Sequence, residues 1–544
     1  MASVRGTAEP PLKLMDLPRV HEEENAHGRE DMTTLADALR GHKPNPWGPG
    51  YLRLYGICGL LYLCSTMNGF DGQLMGSINA MKSFTDYYNL PSEGSSATGI
   101  VFAIFQVGQM AGALFTWVAD WRGRRVPIFG GCLLTCVGAV ITATSPTLSG
   151  FIGGRFLLSF GATVATVAAP MYLIEIVPPQ YRGTIAGLYN TLYYLGAIIA
   201  TCAVYGSNLH LLDKGTIAWR LSLWLQMICP GTVCLGVFFC PESPRWLIGA
   251  EEYEEARRII IDLHTNGNLD HPLVELEMKE MVQSLAEVNP LTWRNFLDFR
   301  TLFNSRSRRY RMMLNISFSW FGQFSGNNVA SYYLPYLVAN VGITSTNTQL
   351  LLNVVYAVSG WIPAMIGARL HDVVGRRKML MGVTLGMSIC LAITAGTASG
   401  YVHTGSRISS SASIAFIYIF GAIFALAMTS MQPIYPAEVL SNEMRAKGMT
   451  IYQLTAGVAS FVNTFAAPVA LKNIKFWFYA FFAFWDLFEF CFIYLFYVET
   501  KGRTLEELDD IFEARNPRKA SIAKIPVKRI RVSELDHGKV GNEA

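Results

Sequence analysis

The stretch Asp120-Trp-Arg-Gly-Arg-Arg125 decides the fold of this chain, because it recurs as Asp372-Val-Val-Gly-Arg-Arg377, 252 positions later. Each copy stands between two long apolar windows. A glycine next to an acid and two arginines suits a tight turn between helices, since arginine can bond the open carbonyls of a helix end and pair with the acid. The repeat predicts a chain made of two similar halves.

A second motif repeats in the same order. Glu175 stands seven positions before Arg182, and Glu438 stands seven positions before Arg445. Two motifs that recur in one order indicate an internal duplication. In membrane carriers, such a duplication places the binding site between the two halves.

The composition is that of a membrane protein, since 51% of the 544 residues are hydrophobic and only 15% are charged. A bilayer core of about 30 Å is crossed by about 20 apolar residues. Twelve windows of this kind occur, at 52–76, 97–118, 126–145, 150–174, 184–205, 221–239, 312–340, 350–370, 379–399, 413–437, 448–470 and 476–498. The sequence therefore predicts an all-α membrane protein with twelve transmembrane helices in two pseudo-symmetric six-helix halves.

Basic residues concentrate in the loops after spans two, four, eight and ten. By the positive-inside rule, these loops and both termini are expected to lie in the cytosol. The polar start of the chain lacks the apolar core of a cleavable signal peptide. The predicted organisation is a tail at 1–50, a first half at 51–240, a cytosolic segment with short helices at 241–311, a second half at 312–498 and a tail at 499–544.

Several classes of function lack the sequence features they need. The net charge is only +4 and the basic residues form no patch with aromatic residues, so a nucleic-acid partner is not expected. The ten cysteines lie in or beside apolar stretches, which favours buried hydrophobic roles over disulfides or a metal site. No glycine-rich phosphate loop, metal-ligand spacing or nucleophile elbow is present. We therefore expect no enzyme activity and no cofactor.

An ordered set of motifs between about 50 and 512 resembles the sugar-porter family of the major facilitator superfamily. The matching strings are Asn68-Gly-Phe-Asp71-Gly, Asp120 to Arg125, Gly154-Arg155, Pro170-Met-Tyr-Leu-Ile-Glu175, Arg182-Gly183, Pro241-Glu-Ser-Pro-Arg-Trp246, Gln323-Phe-Ser-Gly-Asn-Asn328 with Tyr332-Tyr333, Asp372 to Arg377, Glu438 to Arg445 and Glu499-Thr-Lys-Gly-Arg-Thr-Leu-Glu506. The segment from Tyr435 to Gly448 further resembles the fungal lactose-permease and cellodextrin-transporter branch. The resemblance implies sugar import by alternating access, and we expect a monomer in the plasma membrane.

The repeated acids and arginines are interpreted as a cytosolic gate. Its predicted members are Asp120, Arg124, Arg125, Glu175, Arg182, Asp372, Arg376, Arg377, Glu438 and Arg445. The resemblance implies that these clusters latch the cytosolic ends in an outward-facing state and part to open the inward gate. The alternative is a static topology signal, which accounts for the arginines but not for the paired acids. The strings at 241–246 and 499–506 are interpreted as scaffolding outside the site.

Asp71 is the predicted proton-coupling residue, because a carboxylate inside an apolar span is costly unless it is paired, wetted or protonated. Arg155 on span four is the expected partner, and separating the two would change the proton affinity of Asp71. The resemblance assigns proton coupling to these two positions and implies that facilitative carriers usually lack the acid. A permanent structural ion pair, or a solvated carboxylate near the outer mouth, is the alternative.

Sugar binding needs aromatic faces and amides, because hydroxyls both donate and accept while the C–H faces of the ring are apolar. Span seven carries both around a glycine, which is typical of a broken helix that lines a cavity. The predicted substrate-binding residues are Asn190, Gln323, Asn327, Asn328, Tyr332 and Tyr333. By resemblance, Gln323 and Asn328 match sugar-binding positions and Asn190 replaces a usual glutamine. Interhelical hydrogen bonding is the alternative for these amides.

Three departures from the family pattern concern the size of the site. Gly322, Gly360 and Pro433 stand where a glutamine, an asparagine and often a tryptophan are found. The loss of bulk predicts a roomier site, which favours a disaccharide or a substrate other than glucose. Asp486 and Glu489 share one face of span twelve, and they either pair with a neighbouring helix or offer a second coupling site.

The predicted function is secondary active import of a sugar (hexose, pentose or a disaccharide such as lactose) by proton symport. A facilitative sugar uniporter, a carrier of another small polar solute and a sugar sensor that does not transport remain alternatives. Sensors that resemble this family usually carry longer cytosolic tails than the segment after span twelve.

Overall fold

The structure of the protein is a computed structural model that describes residues 45–90, 96–286, 298–339, 342–432, 434–474, 476–501, 503 and 505–522. Regular structure in these ranges is helical, and they contain no strand. The long helices group into twelve spans, six in each half.

The first half contains spans one to six. Their bounds are Pro49–Ile78 (span one), Ser96–Ala113 continued by Val118–Arg122 (span two), Arg125–Thr144 (span three), Leu148–Ile176 (span four), Arg182–Leu211 (span five), and Ile217–Leu225, Ile228–Gly236 and Val237–Phe239 (span six). Shorter helices lie between them at Lys82–Tyr87, Pro179–Tyr181 and Leu212–Lys214.

The second half contains spans seven to twelve. Their bounds are Arg306–Phe324 and Asn327–Ala339 (span seven), Thr346–Val374 (span eight), Arg376–Thr404 (span nine), Arg407–Phe424, the π-helical turn Ala425–Thr429 and Ile434–Val439 (span ten), Asn442–Ile474 (span eleven) and Trp477–Phe496 (span twelve).

Nine helices within the described ranges are long and apolar enough to cross a bilayer. Spans one, two and seven complete the twelve. Span two contains the apolar helix Gly99–Ala113, span seven is broken in its middle, and span one carries polar residues in its second half. The predicted all-α architecture of twelve membrane helices in two similar halves is confirmed.

Small residues bring the spans into close contact. Within the first half, a Cβ atom on Gly131 of span three would lie 2.6 Å from the carbonyl oxygen of Gly161 of span four. Across the halves, a Cβ atom on Gly99 of span two would lie 2.9 Å from the carbonyl oxygen of Phe465 of span eleven. The halves also meet where span five packs on span eight and span one on span seven. Backbone approach at glycines is a usual basis of helix association in membranes.

Two sets of short helices lie outside the spans. They run at Pro244–Gly249, Tyr253–His264, Pro272–Ala286 and Phe299–Phe303 before span seven, and at Leu505–Glu513 and Pro517–Ile522 after span twelve. The fully buried His264 connects the first set to span four. Its Nδ1 lies 2.8 Å from Glu277 Oε2, and its Nε2 lies 3.0 Å from the carbonyl oxygen of Ile176. The end of the bundle that carries the loops after spans two and eight is called the motif end below.

Candidate functional site

Asp71 lies in the second half of span one, and its side chain is fully buried. Its Oδ1 accepts a hydrogen bond from Nε2 of Gln226 on span six. In the described part of the chain, Oδ2 of Asp71 has no hydrogen-bond partner. A buried carboxyl oxygen without a donor is available for a proton. Sequence reasoning missed Gln226, although an amide inside an apolar window was a usable signal.

Arg155, the expected partner of Asp71, is also buried, on span four. Its guanidinium carbon lies 4.9 Å from the centre of the Phe105 ring. It interacts electrostatically with the Asp71 carboxylate, although the hydrogen bond recorded for that carboxylate comes from Gln226. The structure therefore brings Asp71 and Arg155 close together, as predicted, and places the side-chain amide of Gln226 beside Asp71.

The break in span seven gathers two of the predicted amides. Gly326, with φ of +91°, separates the two helices, and the carbonyl oxygen of Gln323 at the break accepts a hydrogen bond of 3.0 Å from Asn463 of span eleven. Asn328 donates to the Gln323 side-chain oxygen at 3.2 Å and to Oγ of Ser460 at 2.8 Å. Gln323 and Asn328 thus form one polar cluster against span eleven.

The remaining predicted residues of span seven point to different neighbours. Oδ1 of Asn327 accepts a hydrogen bond of 3.4 Å from the hydroxyl of Tyr356 on span eight. The hydroxyl of Tyr333 donates to the carbonyl of Thr464 at 2.9 Å, and its ring lies 4.8 Å from that of Phe102 on span two. The side chain of Tyr332 lies outside the described residues. Tyr333 is therefore held by structural contacts on both sides.

Asn190 reaches across the interface between the halves. Its side-chain amide donates a hydrogen bond of 2.8 Å to the carbonyl oxygen of Thr429, the last residue of the π-helical turn in span ten. One helical turn further along span five, the hydroxyl of Tyr194 lies 3.2 Å from Oγ1 of the same threonine. Tyr194 was not among the predicted residues.

At one of the substituted positions, Gly360, the expected space is already occupied. A Cβ atom on Gly360 of span eight would lie 2.7 Å from Cε1 of Tyr194, so the tyrosine ring occupies the place of the missing side chain. A Cβ atom on Gly322 would lie 3.4 Å from Nε2 of Gln432. Pro433 lies outside the described residues. The expectation of a roomier site is wrong at Gly360.

The first motif-end cluster forms around Arg124. Its guanidinium makes two hydrogen bonds of 2.9 Å to the two carboxylate oxygens of Glu175 and one of 2.8 Å to Asp120. Burial by itself lowers the pKa of Arg124, but the two carboxylates outweigh it and hold the pKa above its usual value. The backbone nitrogen of Arg124 donates to Glu242 at 2.9 Å, and Ser243 donates to Glu175 at 2.6 Å.

The second motif-end cluster repeats this arrangement around Arg376. Its guanidinium bonds both oxygens of Glu438, at 2.8 and 3.2 Å, and pairs with Asp372 at 2.9 Å. The backbone nitrogen of Arg376 donates to Glu499 at 2.8 Å, and Thr500 donates to Glu438 at 2.6 Å. The strings interpreted as scaffolding therefore supply a glutamate and a hydroxyl to each cluster.

The second arginine of each motif also has an equivalent place. Nη2 of Arg125 donates to the carbonyl of Phe238, at the end of span six, at 2.7 Å. Nη2 of Arg377 donates to the carbonyl of Tyr494, near the end of span twelve, at 2.7 Å. Each motif thus joins the loop between two spans to the last helix of its own half.

The last two predicted gate residues differ between the halves. Arg182 donates to the carbonyl of Val177 at 3.1 Å and has the carboxylates of Glu277, Glu280 and Glu175 as electrostatic neighbours. Arg245 repels both Arg182 and Arg445. Within the described ranges, every ion pair of the predicted gate residues joins two residues of the same half.

Asp486 and Glu489 are fully buried on span twelve. Oε1 of Glu489 accepts a hydrogen bond of 2.6 Å from Nε1 of Trp485, on the same helix. Both oxygens of Asp486 and Oε2 of Glu489 have no hydrogen-bond partner among the residues the structure describes. The two acids are thus not paired with a cation of a neighbouring helix in this part of the chain.

Two curated relatives and one solved structure show what this chain is similar to. The chain is 29% identical over 518 residues to a high-affinity glucose transporter of Kluyveromyces lactis, covering 91% of each chain. It is 26% identical over 522 residues to a quinate permease of Neurospora terricola, covering 92% of this chain and 96% of the permease. The inward-open xylose transporter XylE from E. coli superposes with a TM-score of 0.68 at 21% identity, covering 85% of this chain and all of that one.

The family match spans most of the sequence and includes all the motifs described above. Residues 57–512 match the model of the family described as "Sugar (and other) transporter". The relatives are permeases and transporters, not enzymes. The chain is therefore a multi-pass membrane transporter of the sugar (and other) transporter family.

Proposed function

We propose that this chain imports a sugar together with a proton by alternating access. The observation that carries the proposal is the buried Asp71, which has one oxygen without a hydrogen-bond partner among the residues the structure describes and the charge of Arg155 beside it. A buried carboxyl is a natural proton carrier, because its charged form is tolerated only while a cation or donors face it. A similar fold in a proton:xylose symporter supports this choice.

The uncharged character of the predicted binding groups supports a sugar as substrate. Asn190, Gln323 and Asn328 offer amides that can donate to and accept from hydroxyls. A carboxylate substrate such as quinate would call for an arginine or lysine. Kinship with both glucose carriers and quinate permeases makes quinate the second candidate.

The motif-end clusters are proposed to form the cytosolic gate. Their basic residues favour a cytosolic position for this end, and with it for both termini, by the positive-inside rule. We place the protein in the plasma membrane as a monomer. We propose the same division of the chain, with tails at 1–50 and 499–544, two six-helix halves and a cytosolic segment from 241. That segment ends where span seven begins, at Arg306, and not at 311.

The test uses purified protein in liposomes, with labelled D-glucose, D-xylose, lactose and quinate as probes. An inward proton gradient is applied with and without an uncoupler. The wild type is expected to accumulate a sugar above its equilibrium level only without the uncoupler. Asp71→Asn keeps the size of the side chain but cannot titrate, so it should lose accumulation and retain counterflow. Asp213→Asn, which changes an exposed acid outside the spans, is the matched control and should accumulate like the wild type.

The other outcomes separate the alternatives. Uphill accumulation by Asp71→Asn would contradict coupling at this residue. Entry by the wild type that stops at equilibrium and ignores the uncoupler would identify a uniporter. Binding of a sugar without any uptake would identify a sensor, and uptake of quinate alone would replace the sugar by an acid substrate.

A further inference from the structure

Tyr194 lies near the middle of span five, at the contact between the halves. It lies twelve residues into span five, which is about 18 Å along a helix that rises about 1.5 Å per residue. Asn190 precedes it by one helical turn, and side chains four residues apart share a helix face. Since both contact Thr429 of span ten, this face of span five is turned toward the other half, where the proposed site lies.

The ring of Tyr194 fills the space beside Gly360. A Cβ atom at position 360 would lie 2.7 Å from Cε1 and 3.4 Å from Cδ1 of the ring, which is too close for any side chain there while the ring stays in place. Gly360 itself is fourteen residues into span eight, about 21 Å along that helix and so near its middle as well. The Tyr194 ring of span five thus fills the volume that a side chain at position 360 of span eight would otherwise take.

The hydroxyl end of the Tyr194 ring is held by a hydrogen bond. The hydroxyl of Tyr194 is 3.2 Å from Oγ1 of Thr429, which ends the π-helical turn Ala425–Thr429. A π turn interrupts the regular helical hydrogen bonds and is frequent at functional sites. The carbonyl oxygen of Thr429, the last in this turn, accepts a hydrogen bond of 2.8 Å from the side-chain amide of Asn190. Tyr194 is therefore anchored by its hydroxyl and by its contact with Gly360.

We infer that Tyr194 is a specificity-determining residue that limits the proposed sugar site to a single ring. The inference rests on the proposed function. An anchored aromatic ring gives a flat apolar face to one sugar ring. The same ring occupies the volume that the glycine at position 360 would otherwise leave for a second sugar ring. The substrate class is then monosaccharides. Disaccharides are rejected because the Tyr194 ring leaves no room for a second sugar ring.

The experiment measures uptake of labelled D-glucose, D-xylose, lactose and cellobiose into liposomes for the wild type and for Tyr194→Ala. The wild type should favour the monosaccharides. Removing the wall should raise the ratio of disaccharide to monosaccharide uptake at least tenfold, within the range of about 10 to 200-fold that pocket size changes produce. Tyr194→Phe keeps the ring and should keep the wild-type ratio.

Two further variants make the test specific. Tyr193→Phe removes a hydroxyl from the neighbouring tyrosine, which packs on Gly69 and Gly72 of its own half, and should behave as the wild type. Adding Gly360→Leu to Tyr194→Ala returns bulk to the same place from span eight and should restore rejection of disaccharides. Restoration shows that volume at this place, not a general loosening, sets the ratio. Uptake of D-glucose or D-xylose by Tyr194→Ala shows that the single variant folds.

The opposing results are distinct. If the wild type takes up lactose or cellobiose as readily as glucose or xylose, or if Tyr194→Ala keeps the wild-type ratio in sugar-competition binding and uptake, the inference is wrong and the proposed sugar transport stands. If the wild type neither binds nor moves any of the four sugars, the proposed function fails and the inference fails with it.

Discussion

The motif-end clusters and the buried acids differ in how well they keep the symmetry of the two halves. Around Arg124 and Arg376, the same set of partners recurs at nearly the same distances. The buried acids do not repeat in this way. Asp71 lies on span one, and its equivalent, span seven, contains no acid. Asp486 and Glu489 lie on span twelve, and its equivalent, span six, contains none either. The motif-end clusters of the two halves are thus alike, whereas the buried acids inside the spans differ.

This difference follows from what each region has to do. Each half must join its own helices at its motif end, and this requirement is the same in both halves. A single substrate site and a single proton site, in contrast, need residues in only one copy. We therefore expect equivalent substitutions to have similar effects at the motif ends and unequal effects inside the membrane.

The largest effect is expected at the arginines of the motif ends. Removing one partner of a buried, hydrogen-bonded ion pair costs about 3 to 5 kcal/mol. Arg124→Ala should approach this value, because the Arg124 and Glu175 side chains are 8% and 11% exposed. Arg376→Ala should cost less, since the Arg376 and Glu438 side chains are 10% and 25% exposed and water screens the remaining charge. Thermal unfolding of the purified protein measures both.

Arg122→Ala is the control for this comparison, because Arg122 is exposed and its guanidinium stacks on the neighbouring Trp121 ring, 4.4 Å from the ring centre. Lysine at position 124 should not rescue the alanine variant fully, since it cannot make two parallel bonds to one carboxylate. A cost at Arg376 equal to or above that at Arg124 would contradict the argument from exposure.

The next effect concerns the two amides that contact different halves. Asn190→Ala removes a bond across the interface, and Asn328→Ala removes bonds within the second half. Each is expected to weaken sugar affinity by about 1 to 3 kcal/mol, or about 5 to 150-fold, if a substrate hydroxyl is left without a partner. Asn328→Ala should also lower the unfolding temperature, because it removes two side-chain hydrogen bonds at the break in span seven. Unchanged half-saturation in both variants would remove these amides from the binding site.

A smaller effect is expected at Glu242 and Glu499. They accept hydrogen bonds from the backbone nitrogens of Arg124 and Arg376, at the starts of spans three and nine. Glu242→Ala and Glu499→Ala each remove a helix-capping acceptor next to a glycine with positive φ, Gly123 at +86° and Gly375 at +103°. Loss of such a cap costs about 0.5 to 2 kcal/mol. Similar losses in unfolding free energy would support the symmetry, and a loss confined to one half would break it.

The sequence predicted the fold and much of the motif-end chemistry because both depend on local patterns. Apolar windows and repeated acid and arginine positions can be read from residue order alone. A third repeat is also present in the residue order: Glu242-Ser243 and Glu499-Thr500 both place a glutamate and a hydroxyl directly after the last span of a half.

Contacts between distant spans could not be predicted in the same way. Gln226 reaches Asp71 across 155 positions, and Tyr194 meets Thr429 across 235. Neither pair has a fixed spacing or a repeat that would identify it. The wrong expectation at Gly360 has the same origin, since a missing side chain on span eight says nothing about which ring from span five takes its place.

The smallest effect is expected at the acids of span twelve, and it bears most directly on the comparison. Asp486 and Glu489 lie one turn apart and are fully buried, so charge on both would be costly in a medium of low dielectric constant. The donor recorded for them is Trp485 of their own helix. Asp486→Asn with Glu489→Gln keeps their shape and hydrogen-bonding capacity, and we expect proton-driven accumulation to persist and the unfolding free energy to change by less than about 1 kcal/mol. Loss of accumulation with intact counterflow would assign proton coupling to Asp486 and Glu489 in the second half. Asp71 would then have a structural role.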